Sequence, residues 1–233
     1  MLNELKKELK LLSHPGKAKV YARFFKTGKG QYGFGDIFLG LAVPEQRKLA
    51  QKYVGLSFDD VKGLLYSKYH EHRLTALFIL VYKYGKAGNA AKQRVINFYL
   101  RHKHRGNNWD LIDCVADKLL GKHLLDKDKL ILYQLAKSES LWDRRIAIIT
   151  TFEFIRNRQF DDTIKIAEIL LSDKHDLIQK AVGWMLREMG KRDEKELIKF
   201  LDKHYQTMPR TTLRYAVERL DKNKKEFYMK KSF

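Results

Sequence analysis

The sequence predicts an all-α chain wound as a solenoid, a superhelix of helix pairs, on three observations. Apolar residues recur with the helical period almost throughout. No stretch alternates apolar and polar residues between hairpin turns, as strands would. A small polar residue stands nine positions before an alanine five times, at Ser67/Ala76, Asn107/Ala116, Ser138/Ala147, Ser172/Ala181 and Thr207/Ala216.

Taken from the N-terminus, Met1 to Lys10 alternates leucine with charge and lacks the apolar segment of a signal peptide. Pro15, Pro44 and Pro209 each stand where a helix can begin, because a first-turn residue needs no amide proton. Ser57 with Asp60, and Asp193 with Glu196, have the spacing of helix-start capping pairs. Ala76, Leu77, Leu80, Val81 and Tyr84 share one helical face. So do Ile164, Ala167, Leu170 and Leu171, and again Leu197, Phe200 and Leu201. The five repeat alanines are 40, 31, 34 and 35 residues apart. Each pair reads as a polar cap opening a helix, then a small residue where a neighbouring helix comes close. Helix–turn–helix units of roughly 30–40 residues mark solenoids of the HEAT or tetratricopeptide kind. No Pro/Gly/Ser-rich linker interrupts the chain, so residues 1–233 read as a single domain. The basic tail after about Asp221, with Lys222, Lys224, Lys225, Lys230 and Lys231, is expected to fray.

Charge selects the partner class. The formal net charge is +19, and two long stretches hold no acid: Leu9 to Gly35 and Tyr82 to Trp109. Surface charge that serves only solubility interleaves its signs, so these stretches point to a polyanion. Nucleic acid is favoured over a membrane, since no amphipathic anchor, lipidation signal or spanning run is present. A cytoplasmic location follows, nucleoid-associated if the source is bacterial. Cys114 is the one cysteine; it excludes an internal disulfide and, among apolar neighbours, reads as a quiet buried thiol.

Two motifs are set aside. Gly28 to Gly33 spells G-x-G-x-x-G, but no strand precedes it, and Lys29 is followed by glycine, not by Ser or Thr. It reads as a flexible basic loop in which Lys26 or Lys29 approaches phosphates. The histidines of Arg101-His102-Lys103-His104 lack partners at ligand spacing and join the basic stripe.

The most unusual stretch is Asn107-Asn108-Trp109-Asp110-Leu111-Ile112-Asp113. If it opens a helix, Trp109 and Asp113 are i, i+4 neighbours with Asp117 one turn on. The residues themselves allow several readings. Trp109, Trp142 and Trp184 can be core, with Asp113 paired to a surface lysine. Asp110, Asp113 and Asp117 can instead suggest a divalent-metal nuclease, although three acids from one helix converge poorly on a metal.

Beyond those readings, several segments carry a resemblance in order along nearly the whole chain. They are Phe38-Leu39-Gly40 with Pro44-Glu45 and Arg47; Asn108-Trp109-Asp110 with Asp113; Leu141-Trp142 with Arg145-Ile146-Ala147; Gln179 to Trp184 with Leu186-Arg187-Glu188; and Met208-Pro209-Arg210 with Arg214-Tyr215-Ala216. Together they resemble the AlkD-like DNA alkylation repair family. The resemblance implies a HEAT-like superhelix with a basic concave face for duplex DNA, and excision of cationic alkylpurines such as 3-methyladenine and 7-methylguanine. It also implies recognition through backbone and sugar, without a snug base pocket. By motif, Asp113, Trp109 and Trp184 would be the catalytic group and Arg145 a DNA-positioning residue.

The chemistry is consistent with those side chains. Alkylation at N7 or N3 makes the purine a cation, hence a good leaving group without a general acid. What needs stabilising is the oxocarbenium-like sugar, a task for the Asp113 carboxylate, which can also orient water. The indoles of Trp109 and Trp184 would hold the deoxyribose and attract its growing charge. Arg145, Arg144, Lys180, Arg187, Arg210, Arg214, Lys26 and Lys29 are the expected DNA contacts. No metal and no Schiff-base lysine is required, so the expectation is a monofunctional, cofactor-free glycosylase working as a monomer without an obligate protein partner. The alternative is a non-catalytic HEAT-like scaffold that binds nucleic acid through the same surface.

Overall fold

The computed structural model describes residues 1–230. Among them there is no strand, only an isolated parallel bridge between Ile37 and Tyr69. The chain divides into two compact units, residues 1–115 and 116–233. No helix among the described residues is long and apolar enough to cross a membrane.

The first unit contains α1 (Leu2–Leu11), α2 (Pro15–Phe24), α3 (Val43–Lys52), α4 (Phe58–Leu65), α5 (His70–Lys86), α6 (Asn89–His102) and α7 (Trp109–Asp113). Helix α5 is its centre. It packs against α3, α4, α6 and α7, and its first eleven residues, His70–Leu80, are all buried. Pro15 is the first residue of α2, and Ser57 and Asp60 cap α4 reciprocally, as the sequence indicates. Between α2 and α3 the chain runs as an irregular segment stitched to its surroundings by backbone bonds, Ile37 N–H to Lys68 O (3.0 Å) and His70 N–H to Ile37 O (2.9 Å). Buried Glu71 accepts from the amides of Leu39, Gly40 and Leu41, satisfying donors that a buried loop would otherwise orphan.

The second unit opens on a π-helical turn, Asp117–Gly121, followed by α8 (Lys122–Leu124), α9 (Leu130–Ala136), α10 (Leu141–Arg156), α11 (Asp161–Leu170), α12 (Asp176–Gly190), α13 (Glu194–His204), α14 (Arg210–Ala216) and α15 (Lys222–Met229). Here the helix-pair repeat is plain: α10 packs on α12 and α12 on α14, with α9, α11 and α13 set beside them. Ala147, Ala181 and Ala216 sit on α10, α12 and α14, and with Ala76 and Ala116 they are at most 1 % exposed. Glycine permits close contact of α12 with α14 at Gly183, where a Cβ would stand 2.5 Å from both Thr212 O and Tyr215 Cβ.

Three expectations need correction. The repeat's polar residues do not cap their helices; the caps fall one to three positions later, at Tyr69, Asn108, Ser140, His175 and Pro209. Ser67 and Ser138 instead order the approach, accepting from the amides of Tyr69 and Ser140. The basic tail is not frayed as far as Met229. It forms α15, anchored by the buried Tyr228, whose hydroxyl donates to Asp202 Oδ1 at 2.6 Å. Lys231 lies outside the described residues. Cys114 is half-buried rather than buried, because α7 ends at Asp113 and the chain turns before the π-helical segment.

Candidate functional site

The site begins with the asparagine pair before α7. Asn108, fully buried, caps the helix: its Oδ1 accepts from Trp109 N–H at 2.9 Å. Its Nδ2 donates to Phe25 O at 3.1 Å, and Asn107 Nδ2 donates to Asp36 Oδ1 at 3.1 Å. The two side chains thus clamp both ends of the glycine-rich loop to the start of α7. A Cβ on Gly33 would lie 2.5 Å from Phe25 O and 3.1 Å from Asn108 Nδ2. The glycine of the apparent dinucleotide motif therefore serves a close approach of backbone.

Beneath the clamp lies a buried network of charge. Asp36 accepts from the Arg73 guanidinium and faces His70 Nδ1 at 3.2 Å, while His70 Nε2 meets Asp110 Oδ2 at 2.8 Å. Burial alone would lower the imidazole pKa. The Asp110 charge and hydrogen bond, with the bond to Asp36, outweigh it and raise the value to about 9. For Asp36, burial opposes ionisation, but His70, Arg73 and Asn107 hold its carboxyl below the usual range. Charges this deep are stable only when paired, and the pairing fixes α5 against the first turn of α7.

Aromatic rings complete this half of the site. His70 stacks on Phe38 (4.4 Å between centroids), Phe38 on Phe25 (5.2 Å), and Phe25 lies 5.2 Å from Trp109. Phe24 meets the indole edge-on at 5.8 Å while remaining 60 % exposed. Trp109 and Asp113, both half-buried, are the first and last residues of α7 and so share its face one turn apart. Asp117 does not continue their row, since it opens the π-helical turn. There its buried carboxylate is paired with Arg156 (2.8 Å) and Lys118 (3.0 Å). With Asp110 committed to His70, two of the three acids of the nuclease reading are bound to cations. Among the described residues no group of three acids, histidines or cysteines is arranged to hold a metal.

The other expected residues divide by unit. In the first, Lys26 and Lys29 are exposed on the glycine-rich loop. In the second, half-buried Trp184 on α12 lies 5.9 Å from Phe152, whose ring is covered by the Arg156 guanidinium at 3.9 Å. Arg144 bonds Asp173 (2.6 Å) and the carbonyls of Ser138 and Glu139. Arg145, 5 % exposed, donates to Leu177 O and so ties α10 to the start of the helix carrying Trp184. Lys180 pairs with Asp176 at 2.8 Å and Arg187 with Glu218. Arg210, exposed, donates to Met229 O at 2.7 Å, and exposed Arg214 lies 5.8 Å from the Tyr215 ring. Sequence reasoning missed Asp36, His70, Arg73, Phe24 and Phe25. A signal was present: His70-Glu71-His72-Arg73 is a polar run opening an otherwise apolar helix, which buried groups with partners would explain.

The family model for "DNA alkylation repair enzyme" matches residues 5–220. The chain belongs to that family. Membership gives it a role in DNA alkylation repair and DNA as its substrate class. Among solved structures it is similar to one from Enterococcus faecalis, described as a predicted DNA alkylation repair enzyme. The two share 15 % identity with a TM-score of 0.69, over 90 % of this chain and 97 % of the other, a likeness of fold. Among curated proteins none matches the sequence at a significant level.

Proposed function

We propose that the protein is a monofunctional DNA glycosylase that hydrolyses the N-glycosidic bond of cationic alkylated purines, of the 3-methyladenine and 7-methylguanine type, in duplex DNA. The observation that carries this reading is the pairing of Trp109 with Asp113 on one face of α7, whose first turn is anchored by a buried ionic network. A carboxylate on so firmly held a helix is preorganised, and preorganised charge is what an oxocarbenium-like transition state rewards.

In the reaction the C1′–N bond breaks and its electron pair leaves with the purine, which departs neutral because it began as a cation. Asp113 stabilises the positive sugar and orients a water, whose oxygen bonds to C1′ while its proton is released. The faces of Trp109 and Trp184 hold the deoxyribose. Exposed Lys26, Lys29, Arg210 and Arg214 contact phosphates, with Lys180 and Arg187 from α12. Arg144 and Arg145 position the DNA-facing helices they tie down. No metal takes part in this route. We take both compact units to act as one domain, as a monomer with no obligate protein partner, in the cytoplasm at the DNA.

The test is dependence on the charge of the leaving base. Duplexes carrying 7-methylguanine, 3-methyladenine and a neutral lesion such as 1,N6-ethenoadenine are incubated with the protein, and free base is measured. Release confined to the cationic lesions supports the proposal. Equal release of the neutral base, or release of none, overturns it.

A further inference from the structure

A groove of about 430 Å³ opens between α4 and α6, lined by Phe58, Lys62, Arg94, Asn97, Phe98 and Arg101. None of these residues belongs to the Trp109 cluster. The two phenylalanine rings lie with centroids 4.9 Å apart, tilted by 38°, and Phe98 lies 4.6 Å from His102 with a tilt of 55°, giving the groove an aromatic wall. The cations beside it are exposed, and no hydrogen bond or ion pair holds Lys62, Arg94 or Arg101 among the described residues. This contrasts with the second unit, where Arg144, Arg156 and Arg187 are each engaged by an acid. Asp59 is the one carboxylate on the groove's wall. The local field is correspondingly positive. His102, already disfavoured as a cation by burial, is depressed further by Lys62, His104 and Arg101.

We propose that this groove is a second nucleic-acid site, which holds an unstacked nucleotide of single-stranded DNA, its base on Phe58 and Phe98 and its flanking phosphates on Lys62, Arg94 and Arg101. The composition is that of sequence-tolerant single-strand sites: aromatic faces that accept any base beside cations that follow the backbone. Duplex DNA keeps its bases stacked inward and has no use for the aromatic wall. An acidic segment of another protein would satisfy the cations but would leave the paired rings unexplained. Asn97, whose Oδ1 already accepts from Gln93, keeps its amide hydrogens for a base edge.

The test is fluorescence anisotropy of a short labelled oligothymidylate against the full chain and three variants. Arg94→Gln/Arg101→Gln is expected to bind about tenfold more weakly, with a log–log salt slope shallower by about 1. Phe98→Leu, which keeps apolar bulk but removes the π-face, is expected to lose about as much. Lys222→Gln/Lys225→Gln removes the same charge from α15 and is expected to bind like wild type. Circular dichroism melting establishes that each variant is folded. Wild-type affinity in the arginine pair overturns the proposal. So does an equal loss in the α15 control, which would mean diffuse attraction, or preferential binding of polyglutamate over oligothymidylate, which would mean an acidic protein partner.

Discussion

His70 Nε2 and Asp110 Oδ2 lie 2.8 Å apart with both side chains less than a tenth exposed, joining the first turn of α5 to the first turn of α7. That contact links a proton to the stability of the fold. The folded pKa of about 9 stands above the ordinary 6.5, so the folded state binds the extra proton between those values. The stabilisation is whole below pH 6.5 and lost as pH rises through about 9, and it amounts to about 3 kcal/mol at most. Urea unfolding measured between pH 6 and 9.5 is expected to show stability falling toward the alkaline end. Asp110→Asn, which removes the partner's charge, is expected to flatten that slope.

Two glycine substitutions are expected to move stability in opposite directions. At Gly183 a methyl group would collide with Thr212 O and Tyr215 Cβ, forcing α12 and α14 apart. Gly183→Ala is therefore expected to destabilise by about 1–3 kcal/mol and to disturb the adjacent Trp184. Gly85, near the end of α5, has open space around it, and a methyl group added there would meet nothing within 4 Å. There alanine is expected to gain up to about 1 kcal/mol through its higher helix propensity. Thermal melting of the two variants beside wild type decides both.

The architecture was legible in the sequence because its cause is local. Ala147, Ala181 and Ala216 recur at the repeat period, and each is buried on a helix of the stack α10, α12, α14. Trp109 and Asp113 were legible as a pair because four residues on a helix is one turn. The network holding them was not, since Asp36, His70 and Asn107 are brought together by tertiary packing that no spacing encodes. The helical tail escaped for a similar reason: Lys222 to Lys225 reads as a solvated basic run, while the anchor is Tyr228 on Asp202 in another helix. Of the expected DNA contacts, the sequence could name the cations but not their partners, such as Asp173 for Arg144.

Binding to duplex DNA is expected to weaken steeply with salt, because each phosphate neutralised releases counterions. Lys26 and Lys29 are exposed on the loop clamped to α7. Lys26→Gln/Lys29→Gln is expected to make the log–log slope shallower by about 2 while leaving sequence preference unchanged. A slope equal to that of wild type would remove both lysines from the interface.

The central claim rests on the Asp113 carboxylate, and its most direct measurement is release of free 7-methylguanine from methylated duplex DNA by wild type and by Asp113→Asn. Asparagine keeps the size and removes the charge. Wild type is expected to release the base, and the variant to bind the same DNA with similar affinity but release it at least about 100-fold more slowly. Equal rates for the two proteins, or no release by wild type while DNA is bound, would contradict it.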